Sequence, residues 1–131
     1  MKKTDIQTPS AEALIDITGR IEEEITRSGV ASGLCLIYVP HTTAGLTINE
    51  NADPSVRRDV LMTLGRLVPD GLPYEHGEGN SPAHVKASLM GSSVCIPIEN
   101  GRLALGTWQG VFFCEFDGPR RRRFYIRLIP A

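Results

Sequence analysis

Apolar residues recur along the chain with different periods, and the changes of period divide it into elements. Thr4 to Thr8, polar apart from Ile6, is expected to form an edge strand that Pro9-Ser10 ends. From Ile17 the spacing turns helical: Ile17, Ile21 and Ile25 recur every fourth position among Glu22, Glu23, Glu24 and Arg27, and Gly29 closes the helix. Leu34 to Val39 is a continuous apolar run between Gly33 and Pro40, the pattern of a central strand covered on both faces. Asp53-Pro54 marks a helix start, because Asp can cap free amides and the missing N–H of proline costs nothing there. Val56, Val60, Leu64 and Val68 then share one face until Pro69. Residues 69–80 carry Pro69, Gly71, Pro73, Gly77 and Gly79 and predict a loop, long enough to be of the functional or mobile kind. Ser81-Pro82 repeats the cap-and-proline device and opens a short helix that ends at Leu89 or Met90, before Gly91.

Past Gly91 the period drops to two. Val94, Ile96 and Ile98 alternate with Ser93, Cys95 and Pro97, and Asn100-Gly101 predicts a hairpin whose return strand begins at Leu103 and Leu105. Val111 to Phe116 and Phe124 to Ile129 follow as further strands, after turns at Gly106 to Gly110 and Asp117 to Pro119. With the helices in the first 90 residues and this antiparallel meander after them, the expected architecture is α+β. It is a single domain, residues 1–131, with a largely antiparallel or mixed sheet, packed helices and a C-terminal β-meander.

Composition narrows the partners. Of 131 residues, 41% are hydrophobic and 22% charged, the profile of a chain with a real core. Fourteen Lys and Arg against fifteen Asp and Glu leave a formal charge of -1, so neither nucleic acid nor a membrane surface is expected as a partner. No apolar run approaches the ~20 residues that span a bilayer, and the expected location is the cytoplasm. Cys35, Cys95 and Cys114 lie far apart in apolar runs and are expected to be buried thiols.

The richest polar stretch is His41-Thr42-Thr43-Ala44-Gly45-Leu46-Thr47-Ile48-Asn49-Glu50-Asn51-Ala52-Asp53-Pro54, which sets an imidazole, hydroxyls, amides and carboxylates between an apolar run and a helix start. Such convergence suits a small-molecule or metal site. His41, His76 and His84 are the only histidines, and each lies at an element end or in the long loop. Brought together they could bind Zn²⁺; exposed or capping roles are the plainer alternative. His84 falls in the first turn of its helix, where the positive end of the dipole opposes a further positive charge. Glu50, Asp53, Glu75 and Glu78 could supply a general base or a hard ligand for Mg²⁺, against helix capping for Asp53 and solvation for the loop acids. Glu115 shares a strand face with Val111 and Phe113, so it is expected to be partly buried or at a subunit seam, with an arginine or histidine as partner. Trp108 could cover a planar ring or fold back over the sheet. Arg120 to Arg123 could bind phosphate, or protect an exposed strand or pair at a subunit interface; alternation sends Arg121, Arg123 and Arg127 opposite Phe124, Ile126 and Leu128.

Three signatures lie in order along the chain: His41 to Asn51, then Glu78-Gly79-Asn80-Ser81-Pro82-Ala83-His84-Val85-Lys86, then Gly101 followed by Gly106-Thr107-Trp108-Gln109-Gly110. Together they resemble the YjbQ-like family, from about residue 5 to the end. The resemblance implies a compact α+β subunit assembled as a homotrimer, with a histidine-lined site near subunit boundaries. It also implies secondary thiamine-phosphate synthase activity, the joining of a hydroxymethylpyrimidine pyrophosphate to a thiazole phosphate with release of pyrophosphate. The usual enzyme of that name is a TIM barrel of ~250 residues, so this chain would be a convergent catalyst. In the site that motifs and resemblance define, His41, His84, Glu50 and Glu115 carry the chemistry. Thr42, Thr43, Asn49, Asn51, Lys86, Trp108 and Gln109 bind a phosphate-bearing small molecule, and His41, His76 and His84 hold a divalent metal ion, Zn²⁺ or Mg²⁺. A metal- or small-ligand-binding module and a metal-dependent hydrolase are the alternatives.

Overall fold

The computed structural model describes residues 1–131. In chain order the elements are β1 (Lys2–Gln7), β2 (Ala13–Asp16), α1 (Thr18–Ser28), β3 (Gly33–Tyr38), β4 (Ala44–Glu50), α2 (Pro54–Leu67), α3 (Ser81–Met90), β5 (Ser93–Glu99), β6 (Arg102–Leu103), β7 (Gln109–Glu115) and β8 (Arg121–Pro130). The α+β class is as the sequence predicts. Every strand pairing is antiparallel, but the strands form two sheets, ordered β1-β8-β3-β5-β6 and β2-β7-β4.

The expected C-terminal meander is therefore corrected. Only β5 and β6 are neighbours; β7 crosses to the smaller sheet, and β8 returns to lie between β1 and β3. The reason is burial on both faces of β7. Val111 and Phe113 point into the main core, while Cys114 and Phe116 join Leu64 of α2 and Ala83 and Ala87 of α3 in a second cluster. A strand with two apolar faces needs a layer on each side, which a solvent-backed meander cannot supply. The main core lies between the two sheets, with Ile21 and Ile25 of α1 and the preceding Ile17 fully buried in it.

Local signals explain most boundaries. Gly29 ends α1 in the left-handed conformation, and its N–H reaches the carbonyls of Ile25 and Thr26. Asp53 caps α2 by accepting from the Ser55 amide, with Pro54 in the first turn. On α2, Leu64 is buried and Val68 beyond its end is too, while Val56 and Val60 are half-covered. β3 is central in its sheet, yet only one face is covered: Cys35, Ile37 and Val39 are buried, whereas Leu34 and Tyr38 are exposed. Cys95 likewise faces out of β5, contrary to expectation, while burial first of all pushes the Cys35 and Cys114 thiols up to about 12. β2 and β4 carry no alternation strong enough to announce them. β4 forms because its backbone pairs with β7 from Ala44 opposite Glu115 to Glu50 opposite Gln109.

Candidate functional site

The segment between β3 and β4, the loop before α3, the first turn of α3 and the turn before β8 meet around one open cleft of about 670 Å³. Its lining includes His41, Thr42, His76, Glu78, His84 and Arg120, with Asn80, Asp117 and Arg122 among the other members, and is almost wholly polar. All three histidines therefore come to one place. The rings of His76 and His84 meet edge to face with centroids 5.3 Å apart.

Behind the cleft, Arg122 is held by a buried carboxylate. Its Nε donates to Glu115 Oε1 at 2.8 Å and its Nη2 donates to Oε2, with Thr43 Oγ1 accepting from the same nitrogen at 2.8 Å. Arg122 is 3% exposed and Glu115 0%. Burial alone would push the Glu115 carboxyl up, but the Arg122 guanidinium and the Asp117 amide, which donates to Oε2, hold it below its ordinary range. This is the partner that burial of Glu115 required. Placement of Arg122 inward follows from alternation, since positions 122, 124 and 126 of β8 are all buried.

In front of that pair, Asp117 organises two cleft residues. Its Oδ2 accepts from Arg120 Nη2 at 3.1 Å and from Asn80 Nδ2 at 3.0 Å, and its carbonyl accepts from Arg120 Nε. Asn80, not Ser81, is the residue that caps α3 by position. Its side chain makes no cap bond because it is turned to Asp117, and its Oδ1 is buried without a partner. Ser81-Pro82 is the stronger local signal for a cap, but the tertiary pairing of Asn80 with Asp117 moves the helix start back by one residue.

His41 is fixed through one nitrogen. Its Nε2 accepts the Arg123 backbone N–H at 2.9 Å, which puts the proton of the neutral ring on Nδ1. Burial lowers its pKa, and the nearby Arg122 and Arg120 charges lower it further. A metal would need a free lone pair on each imidazole, and here one is spent. No three His, Cys, Asp or Glu side chains are arranged to hold a metal ion. The histidines as arranged thus do not make the expected three-histidine cage.

The remaining expected site residues lie elsewhere. β4 runs seven residues from Ala44 to Glu50, about 20 Å at ~3.3 Å per residue, so its far end is well away from His41. There Asn49 Oδ1 accepts the Glu50 amide, Glu50 Oε2 accepts the Asp53 amide at the start of α2, and Asn51 Nδ2 donates to Asp16. Gln109 and Trp108 are at the same end; the Gln109 side chain braces its own turn through Gly106, and Trp108 is exposed. Lys86 faces away from the histidines, buried against Glu12 Oε2 at 2.6 Å. Asn80, Asp117 and Tyr38 are cleft residues that the sequence does not single out, while Arg120 and Arg122 come from the run for which phosphate binding, strand protection and interface pairing stand open. The signal that could have found two of them was positional: Asn80 opens α3 beside His84, and Asp117 ends the strand that carries Glu115.

The molecule is thus an α+β domain of two antiparallel sheets backed by helices, with a polar cleft of imidazoles and carboxylate-held arginines at their edge. A profile of the family described as UPF0047 protein YjbQ-like matches residues 2–131, and this chain belongs to that family. A UPF0047 protein of Methanocaldococcus jannaschii is 55% identical over 97% of this chain and 92% of its own length. UPF0047 protein YugU of Bacillus subtilis is 49% identical over 98% of each. The crystal structure of a YjbQ/UPF0047-family protein from Clostridium acetobutylicum superposes with a TM-score of 0.96 at 51% identity, covering 98% of this chain and 100% of that one. A YbjQ-like protein of unknown function from Sulfolobus solfataricus gives 0.94 at 30% identity, covering 99% and 96%. No helix of the chain is long and apolar enough to cross a membrane.

Proposed function

We propose that the cleft binds a small phosphate-bearing substrate and that the chain is a cytoplasmic transferase of the thiamine-phosphate synthase kind. The observation that supports this is a set of unspent donors around one space. His41 Nδ1–H, the rings of His76 and His84, the Thr42 hydroxyl and Arg120 Nη1 have no hydrogen-bond partner in the chain, and all line the cleft. Donors held in place by a second layer are what a departing pyrophosphate needs, because they stabilise developing charge without reorganising. Asp117 and Glu115 supply that layer through Arg120 and Arg122.

In the reaction the thiazole nitrogen forms a bond to the pyrimidine methylene carbon while the bond from that carbon to the pyrophosphate oxygen breaks. The electron pair leaves with pyrophosphate, which Arg120 and His84 receive. Trp108 and Gln109, at the other end of β4, could contribute only across a subunit boundary. A homotrimer is part of the proposal, because Leu34, Tyr38 and Ile129 leave an exposed apolar surface on the larger sheet that assembly would cover. The test is formation of thiamine phosphate from the pyrimidine pyrophosphate and thiazole phosphate by untagged protein, with His84→Ala and Arg120→Ala beside it. Product from wild type and a loss of about a hundredfold in each variant supports the reading; equal rates in all three refute it.

The metal-binding alternative requires His41 to release the Arg123 amide. One equivalent of Zn²⁺ in untagged protein, lost in His41→Ala, would support it.

A further inference from the structure

We infer that Arg122 is itself a direct ligand of the anion, from the floor of the cleft, and that Glu115 behind it determines how much negative charge the cleft accepts. The inference rests on the reading that the cleft holds a phosphate-bearing ligand, and it does not depend on the transfer step.

Only one nitrogen of the Arg122 guanidinium is unspent. Nε donates to Glu115, and Nη2 donates to Glu115 and to Thr43, whose hydroxyl and carbonyl oxygens lie at 2.8 and 3.3 Å. Nη1 has no partner in the chain. Nor is it sealed in the core, because Arg57 Nε and Asn80 Oδ1 are the only buried side-chain nitrogen and oxygen atoms without a partner. Arg122 lines the cleft, so its open nitrogen belongs to the cleft floor.

A role confined to holding the fold explains this poorly. An apolar pair of similar volume would fill the space as well as a buried ion pair, with no charge to desolvate. A guanidinium fixed along one edge and open at Nη1 suits recognition of an oxyanion, since its donors are oriented before the ligand arrives. Arg120 is the looser partner: its side chain is 49% exposed and is tied through Asp117 alone.

Glu115 controls the charge. Against Arg120 and Arg122 stand Glu78, Asp117 and, behind the floor, Glu115 in bidentate contact with Arg122. Arg122 therefore offers directed N–H bonds while its positive charge is offset at the source. Glu115→Gln removes that offset at nearly constant side-chain shape and leaves Arg122 facing the ligand with its charge uncovered.

The test is calorimetric titration of inorganic pyrophosphate into wild type, Glu115→Gln and the double variant Glu115→Leu with Arg122→Met, beside nitrogen NMR of the wild-type Arg122 guanidinium. Glu115→Gln is expected to bind pyrophosphate about tenfold more tightly than wild type, although it unfolds at lower urea. The double variant should bind about tenfold more weakly, and the Arg122 Nη1 resonance should shift as wild type saturates. A purely structural Arg122 predicts the opposite sign for Glu115→Gln, because a loosened floor only loses affinity. Equal or weaker binding by folded Glu115→Gln, wild-type affinity in the double variant, or an Nη1 resonance indifferent to bound pyrophosphate would overturn the inference. Should Glu115→Gln not fold, the wild-type resonance and the double variant decide. Failure of wild type to bind pyrophosphate would sink the reading of the cleft and this inference together, whereas binding that leaves Arg122 silent would sink the inference alone. Binding through Arg122 without product from the pyrimidine and thiazole substrates would remove the transferase reading and leave Arg122 as an anion ligand.

Discussion

Replacing Arg122 with Met should be among the most damaging single changes in the protein, although the residue belongs to a surface-like arginine run in sequence. The substitution leaves the Glu115 carboxylate buried at 0% exposure with no positive partner, only neutral donors such as the Asp117 amide. Removing one partner of a buried ion pair costs about 3–5 kcal/mol, since the other charge is left without compensation. Replacing both, as Glu115→Leu with Arg122→Met, should cost much less than the sum, because an apolar pair of similar volume requires no desolvation of charge. Equilibrium urea unfolding followed by circular dichroism at fixed protein concentration measures all three, and fixed concentration matters if the chain assembles. The pH dependence carries the same signature. A carboxyl whose folded pKa is depressed contributes stability that is present above its unfolded value and is lost as pH falls through the folded one. Wild type should therefore lose this contribution on acidification below the ordinary glutamate range, and the double variant should not. A cost for Arg122→Met below about 1 kcal/mol at pH 7, or a double variant costing the full sum, would refute the reasoning.

Gly45→Ala should destabilise by about 1–3 kcal/mol in the same unfolding assay, because the new methyl meets the Gly91 carbonyl oxygen at 2.6 Å and Met90 Cβ at 3.2 Å, one of them backbone. Asp53→Ala should lower the unfolding midpoint through loss of the α2 cap, with the cleft unchanged in pyrophosphate titration. His41 should show the Nδ1–H form in nitrogen-detected NMR at pH 7 and titrate below the ordinary histidine value of 6.5, its Nε2 accepting from Arg123 only while the ring is neutral; an Nε2–H ring at neutral pH would show that the Arg123 contact is absent.

Elements with one strong local signal were legible in sequence. The period of Ile17, Ile21 and Ile25 with Gly29, and the Asp53-Pro54 start, locate α1 and α2 to within a residue or two. β4 was not legible, because it earns its place by pairing with β7 and by carrying Gly45 past the end of α3, neither of which leaves a pattern along Ala44 to Glu50. The two-sheet division was hidden for the same reason: alternation reports that a strand has an inner face, not which strand lies beside it. Convergence of His41, His76 and His84 was one of two readings their positions allow, exposed or capping roles being the other, and it is the fold that brings them to one cleft. Their company was not legible, since Asn80 and Asp117 meet across 37 positions of sequence, and Lys86, which looked available, is spent on Glu12 from 74 positions away.

Everything proposed for the cleft requires the imidazoles, Thr42 and Arg120 to act together as one anion-binding site. Calorimetric titration of inorganic pyrophosphate into untagged wild-type protein and Arg120→Ala tests this most directly. The expected result is one saturable site per chain in wild type, weakened about tenfold or more in the variant with its unfolding curve unchanged. Absence of binding to the wild type, or identical binding to both proteins, would contradict it.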